Sequence, residues 1–130
     1  METEPNDKRR YSALIIDDNW FNRDIFRIAL ESCSYHVTQA DDGVKGSDLL
    51  AKEAFDLLIL DLLMPNMDGG SLLKTVRLNK AYDKLQVVVV TANAHMVTQE
   101  IQELANYVMY KPVNLQAFAQ LAIRLRDAAS

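Results

Sequence analysis

Short apolar runs recur along this chain at intervals that leave room for one helix between neighbours, and this rhythm constrains the fold more than any other feature. Leu14-Ile15-Ile16, Leu57 to Leu60 and Val87 to Val90 are uninterrupted and rich in branched side chains. Runs this short, bounded by polar residues, predict strands buried on both faces of a sheet. The third strand is read from Asp56 to Leu60. Val37 to Ala40 and Val108-Met109-Tyr110 add two weaker strands, the last stopped by Pro112. Between them apolar residues fall at helical spacing: Phe21, Ile25, Ile28 and Ala29; Leu72, Leu73 and Val76; Val97, Ile101 and Leu104; and Leu115, Phe118, Ala122 and Leu125 after an Asn114 cap. A weaker helix from about Val44 to Glu53 carries Gly46, which lowers its propensity. Five strands alternating with five helices predict an α/β domain whose parallel sheet is covered on both faces.

A length of 130 residues suits one domain, and 49% apolar residues suffice for its core. The apolar runs are far too short to cross a bilayer, so no membrane association is expected. Met1-Glu2-Thr3-Glu4-Pro5 is polar and acidic, unlike a secretion signal. Cys33 is the single cysteine, which excludes a disulfide framework or a thiolate metal site and fits a buried thiol in a cytoplasmic protein. Residues 1–10 read as a disordered leader, residues 11–127 as the domain, and no output domain is expected. A net charge of −4 argues against direct nucleic-acid binding, and Lys8-Arg9-Arg10 reads as solvated leader.

Asp61 is the residue a purely apolar strand does not explain. It follows Leu57 to Leu60 at once, where an isolated charge is expensive to bury and so implies a partner. Ligands of open parallel sheets bind at the carboxyl ends of the strands, where strand order reverses. At those ends stand Asp17-Asp18, Asp61, Thr91 and Lys111. Individually each has an ordinary explanation: Asp18 or Asn19 caps a helix, Thr91 caps another, Lys111 is a surface lysine. Together they define a chemistry. Two carboxylates about 4 Å apart cost roughly 4 kcal/mol at an effective dielectric of 20, so three need a cation. Hard oxygen ligands suit Mg²⁺, with Mn²⁺ an alternative. A divalent metal, an ammonium, a hydroxyl and a carboxylate nucleophile make a phosphoryl-transfer site in which Asp61 attacks in line.

The strings Leu14-Ile15-Ile16-Asp17-Asp18-Asn19, Asp56 to Asp61, Met64-Pro65-Asn66-Met67-Asp68-Gly69, Val90-Thr91-Ala92 and Lys111-Pro112 resemble the receiver domain of two-component response regulators, over nearly the whole chain. The resemblance implies a flavodoxin-like (βα)5 fold with strand order 2-1-3-4-5. It implies that Asp61 accepts a phosphoryl group from the phosphohistidine of a sensor histidine kinase or a histidine phosphotransfer protein. Asp17, Asp18, the Asp61 carboxylate and the backbone carbonyl of Leu63 would hold Mg²⁺. Thr91 and Lys111 would bind the phosphoryl oxygens, and Pro112 would follow a cis bond. Such a protein modifies itself and turns over no external substrate.

Some positions depart from the resemblance or stay open within it. Three residues before the lysine, receivers usually carry the aromatic that follows the threonine in the switch; Val108 stands here, with Tyr107 and Tyr110 expected on the other face of the strand. Leu63 either shields the acyl phosphate or packs against its loop, and the lifetime of phospho-Asp61 in Leu63→Asn decides between them. Trp20, beside Asp18, either docks the phosphodonor's helix or packs on a neighbouring loop. His36 and His95 have no metal spacing, and Met64 and Met67 read as loop packing.

The leading expectation is a stand-alone receiver, monomeric or weakly dimeric. It would signal to an unknown target through the helix 4–strand 5–helix 5 face or pass the phosphoryl group onward. Met1 and the leader favour it. Asp18-Asn19 followed by Asn22-Arg23 resembles receivers of hybrid histidine kinases, which makes an excised receiver the alternative. A metal-dependent phosphatase of the haloacid dehalogenase type would place a second Asp two residues after the nucleophile, where this chain has Leu63.

Overall fold

The apolar runs form strands whose alternation is visible residue by residue. The computed structural model describes residues 11–129, so the expected leader lies outside the described residues. Its strands are β1 (Tyr11–Ile16), β2 (Tyr35–Ala40), β3 (Leu57–Leu60), β4 (Gln86–Thr91) and β5 (Tyr107–Tyr110). They pair in parallel in the order β2-β1-β3-β4-β5. Strand order therefore reverses between β1 and β3, which opens a crevice at their carboxyl ends. Strands β1 and β2 start earlier than their apolar residues do, because Tyr11↔Tyr35 and Ser12↔His36 extend the ladder through backbone pairing. Strand β3 starts at Leu57, one residue later than expected, although the Asp56 N–H still donates to Ser12 O at 2.8 Å and the Asp56 carboxylate accepts the Ser12 N–H at 2.8 Å.

The helices are α1 (Trp20–Ser32), α2 (Gly43–Lys52), α3 (Gly69–Leu78), α4 (Gln99–Leu104) and α5 (Leu115–Ala129). Short polar side chains cap them: Asn19, Asp42, Asp68, Thr98 and Asn114 each accept a backbone N–H of the first turn at 2.8–3.2 Å. Each such cap stabilises its helix by about 1 kcal/mol. Period-two alternation divides the core into two layers. Leu14, Ile16, Leu58, Leu60, Val87 and Val89 face α2, α3 and α4, while Ala13, Ile15, Leu57, Ile59, Val88 and Val90 face α1 and α5. Gly46, mid-helix in α2, lies against β1: a Cβ there would come within 2.2 Å of Ile16 Cδ1, so the glycine sets how closely helix and sheet approach.

Three helix faces differ from their expected apolar stripes. On α1 the buried residues are Phe26 and Leu30, with Phe26 stacked 4.9 Å from the Phe118 ring of α5. Phe21 (57% exposed) and Ile28 (55%) turn away from the core. Their stripe is real but rotated by about one residue, roughly 100° of helix, out of the core and towards solvent. On α5 Leu121 is buried and Leu115 is exposed. Helix α4 begins only at Gln99, because Thr98 caps it; Val97 packs on the core from the preceding turn.

Candidate functional site

Backbone bonds that continue the sheet past its strands deliver the polar residues to one edge. The Asp17 N–H donates to Ala40 O (3.2 Å), the Asp61 N–H to Ile16 O (3.0 Å), and the Lys111 N–H to Thr91 O (2.9 Å). Asp17, Asp61 and Lys111 are therefore each placed by a neighbouring strand. The loop after Asp61 folds back tightly, with the Gly69 N–H donating to Leu62 O at 3.0 Å. A Cβ on Gly69 would lie 2.3 Å from the Asp61 carbonyl oxygen, a backbone atom with no freedom to move aside, so this loop requires glycine there.

The five expected side chains gather at this edge. Lys111 Nζ donates to Asp17 Oδ2 at 2.9 Å and to Asp61 Oδ2 at 3.3 Å. Asp17, Asp18 and Asp61 each offer an oxygen, and these oxygens lie within 4.8 Å of one another. Asp17 and Asp61 are buried and Asp18 is exposed at the rim. Burial pushes the Asp61 carboxyl above its ordinary pKa and the Asp17 charge pushes it further, while Lys111 opposes both. Burial alone would lower the Lys111 pKa, but the hydrogen bond and charge of Asp17, with those of Asp61, leave it raised. One ammonium thus touches a cluster of three carboxylates. The set is all hard oxygen with no thiolate or imidazole, and its excess negative charge fits a divalent cation.

Thr91 is fully buried at the end of β4. Its Oγ1 accepts from the Asn93 N–H at 3.1 Å and makes no hydrogen bond to Asp61. It therefore does not cap α4. Leu63 is 54% exposed, so it does not pack into its loop; its N–H points at Asp61 Oδ1 from 3.4 Å. Met64 and Met67 do pack on the core. His36 and His95 are exposed and are not members of the carboxylate cluster, and Cys33 is a buried thiol. The Lys111–Pro112 peptide is cis. Val108 packs in the α2–α3–α4 layer and Met109 in the other. Alternation then puts Tyr107 opposite Val108 as expected, but Tyr110, two residues on, falls on Val108's own side; both tyrosines are exposed at the sheet edge.

One residue near the site was read only as part of a motif. Arg23 reaches back from α1 to the Asp17 carbonyl, a contact that a side-chain pattern does not reveal because its acceptor is backbone.

The comparisons agree with this geometry. The sequence matches the response regulator receiver domain family over residues 13–123. It is 37% identical over 109 residues to the sensor histidine kinase RcsC of Salmonella typhi, which covers 82% of this chain and 11% of that protein. It is 33% identical over 122 residues to the sensor protein EvgS of Escherichia coli, covering 92% of this chain and 10% of that one. The chain thus spans about a tenth of the length of these relatives. Among solved structures, the chemotaxis response regulator CheY4 of Vibrio cholerae superimposes with a TM-score of 0.81 at 26% identity, over 90% of this chain and 99% of that one. The chain belongs to the response regulator receiver family of two-component phosphorelay signalling.

Proposed function

We propose that this protein accepts a phosphoryl group on Asp61 from a phosphohistidine and signals through the change that follows. The observation that carries the reading is the Lys111 ammonium bonded to both Asp17 and Asp61 beside a third carboxylate, at the strand-order reversal. Mg²⁺ is the cation we assign to the cluster, held by Asp17, Asp18, Asp61 and the Leu63 carbonyl; when bound it supplies charge neutralisation at the phosphoryl oxygens. An Asp61 oxygen attacks the phosphorus, the P–N bond breaks, and the electron pair leaves with the donor imidazole. Lys111 keeps its ammonium on the transferring oxygens, and the Thr91 hydroxyl, whose Oγ1 accepts the Asn93 N–H, donates its O–H to a phosphoryl oxygen. Leu63 stands two residues after Asp61, where an aspartyl phosphatase carries its general acid, so we read the protein as its own substrate rather than an enzyme of external ones.

The donor's approach is supported by the rim. Trp20 (68% exposed) meets Phe21 edge-on at 5.9 Å, and an apolar groove of about 210 Å³ runs from Lys111 and Pro112 past Ile25 to Leu115. This groove shares Lys111 with the carboxylate cluster and fits the side of a helix bearing the phosphohistidine. Trp20→Ala is expected to slow transfer from the cognate donor but not from a small phosphodonor; unchanged transfer from both would remove Trp20 from docking.

Two settings suit this activity. One is a stand-alone cytoplasmic receiver acting as a monomer or weak dimer on a downstream partner. The other, favoured by the likeness to RcsC and EvgS, is a receiver module working with a sensor kinase. No described helix is long and apolar enough to cross a membrane. The test of the shared claim is incubation with Mg²⁺ and acetyl phosphate followed by intact mass. A gain of one phosphoryl group, base-labile and absent in Asp61→Asn, is expected. No gain, or a gain that survives Asp61→Asn, overturns the proposal.

A further inference from the structure

The structure holds every polar atom of Asp17, and one of the holders has no role in the site described so far. Asp17 Oδ1 accepts the Asn19 N–H at 2.9 Å, Oδ2 accepts Lys111 Nζ at 2.9 Å, and the Asp17 N–H donates to Ala40 O. Its carbonyl oxygen accepts from Arg23 Nη1 at 2.7 Å. The same guanidinium donates through Nε to Gln39 Oε1 on β2 at 3.2 Å. Arg23 is itself set on the helix by its N–H bond to Asn19 O at 3.1 Å. A charged donor at this distance makes a stronger bond than a neutral one, and the planar fork fixes direction as well as distance.

The carbonyl that Arg23 grips belongs to the peptide plane joining Asp17 to Asp18. Asp18 sits exposed at the rim, and its carboxylate has no hydrogen-bond partner among the described residues. Its position relative to Asp17 and Asp61 therefore depends on how that peptide plane is turned. We infer that Arg23 is a positioning residue for divalent-cation binding: by locking the Asp17–Asp18 peptide, it aims the Asp18 carboxylate at the cluster. The inference rests on the proposal that this cluster binds Mg²⁺, and it makes a counter-intuitive demand. As a nearby positive charge, Arg23 should weaken cation binding, yet as a lock it should strengthen it.

The sign of the effect separates the two. Mg²⁺ alone is titrated into wild type, Arg23→Gln, Arg23→Lys and Gln39→Leu by calorimetry, with the fluorescence of Trp20, the only tryptophan, as a second readout. Loss of a partner that orients metal ligands typically weakens affinity about 10–100-fold. Arg23→Gln is expected at about the lower end of that range. Arg23→Lys keeps the charge but not the fork and is expected to bind more weakly than wild type, as is Gln39→Leu, which removes the outer anchor and leaves Arg23 in place. Melting in EDTA checks that each variant is folded. Equal or tighter Mg²⁺ binding by Arg23→Gln overturns the inference, and wild-type affinity in Arg23→Lys does so for the fork geometry. A wild type that binds no Mg²⁺ overturns the metal assignment and this inference with it, whereas wild-type binding with unchanged variants overturns this inference alone.

Discussion

Ile59 and Asp61 lie two residues apart on one stretch of chain, both buried, and are held by different physics. Ile59 is surrounded by the apolar layer of α1 and α5, and its burial removes hydrocarbon from water at no electrostatic cost. Asp61 is buried as well, but its neighbours are two other carboxylates and one shared ammonium. The strand body is optimised for the folded chain as it stands. The strand end is left with unbalanced negative charge, which a divalent cation would offset. Stability and function thus separate along a single strand.

That contrast is open to attack at its strongest point first. Ile59→Ala opens a cavity in the apolar layer and is expected to cost about 2–5 kcal/mol of stability. Urea unfolding with and without Mg²⁺ should show the loss while the Mg²⁺-induced gain stays as in wild type. An equal loss of the Mg²⁺ gain would mean that the two regions are not separable.

Lys111→Met comes next. It leaves Asp17 and Asp61 buried without their cation, and removing one partner of a buried charge pair costs about 3–5 kcal/mol. The low end is expected because Asp18 and the rim admit water. Added Mg²⁺ should return part of the loss, measured as a larger rise in melting temperature than wild type shows. A variant as stable as wild type without metal would contradict the assigned role of the ammonium.

Asp61→Asn probes the unfavourable half of the balance. The Asp61 pKa is raised in the folded protein, chiefly by burial, so the folded state holds this proton to higher pH than the unfolded chain does. Stability contributed by Asp61 is therefore greatest below its ordinary pKa, about 3.9, and falls as pH rises through the raised value. Without metal, Asp61→Asn should melt a few degrees higher than wild type at pH 7–8, and the difference should vanish towards about pH 3.5. A variant less stable at neutral pH would reverse the argument.

The order of the strands came only with the resemblance to receiver domains, whereas the strands themselves and the gathering of Asp17, Asp18, Asp61, Thr91 and Lys111 were legible in the sequence for one reason. A strand buried on both faces is a short apolar run, and whatever polar residue ends it must lie at the sheet edge. Helix faces were less legible. Phe21 and Ile28 follow helical spacing as well as Phe26 and Leu30 do, and periodicity does not distinguish a stripe for the core from one left exposed beside the site. The start of α4 was obscured because Val97 is apolar and packs on the core, yet lies outside the helix that Thr98 caps. Arg23 was visible as a letter but not as a contact, since its acceptors are a carbonyl and a neighbouring strand's glutamine. Tyr110 stands two residues after Val108, so period-two alternation already places it on Val108's side, and the expectation that it faces away did not follow from the sequence.

The central claim is that this sheet edge sacrifices stability for a divalent cation. Asp18→Ala tests it most directly, because Asp18 is exposed and contributes charge rather than packing. Melting temperatures of wild type and Asp18→Ala are compared in EDTA and in excess Mg²⁺. The account expects the variant to melt higher than wild type in EDTA and to lose the Mg²⁺-induced rise that wild type shows. A variant that melts lower in EDTA, or that keeps the full Mg²⁺ response, would contradict it.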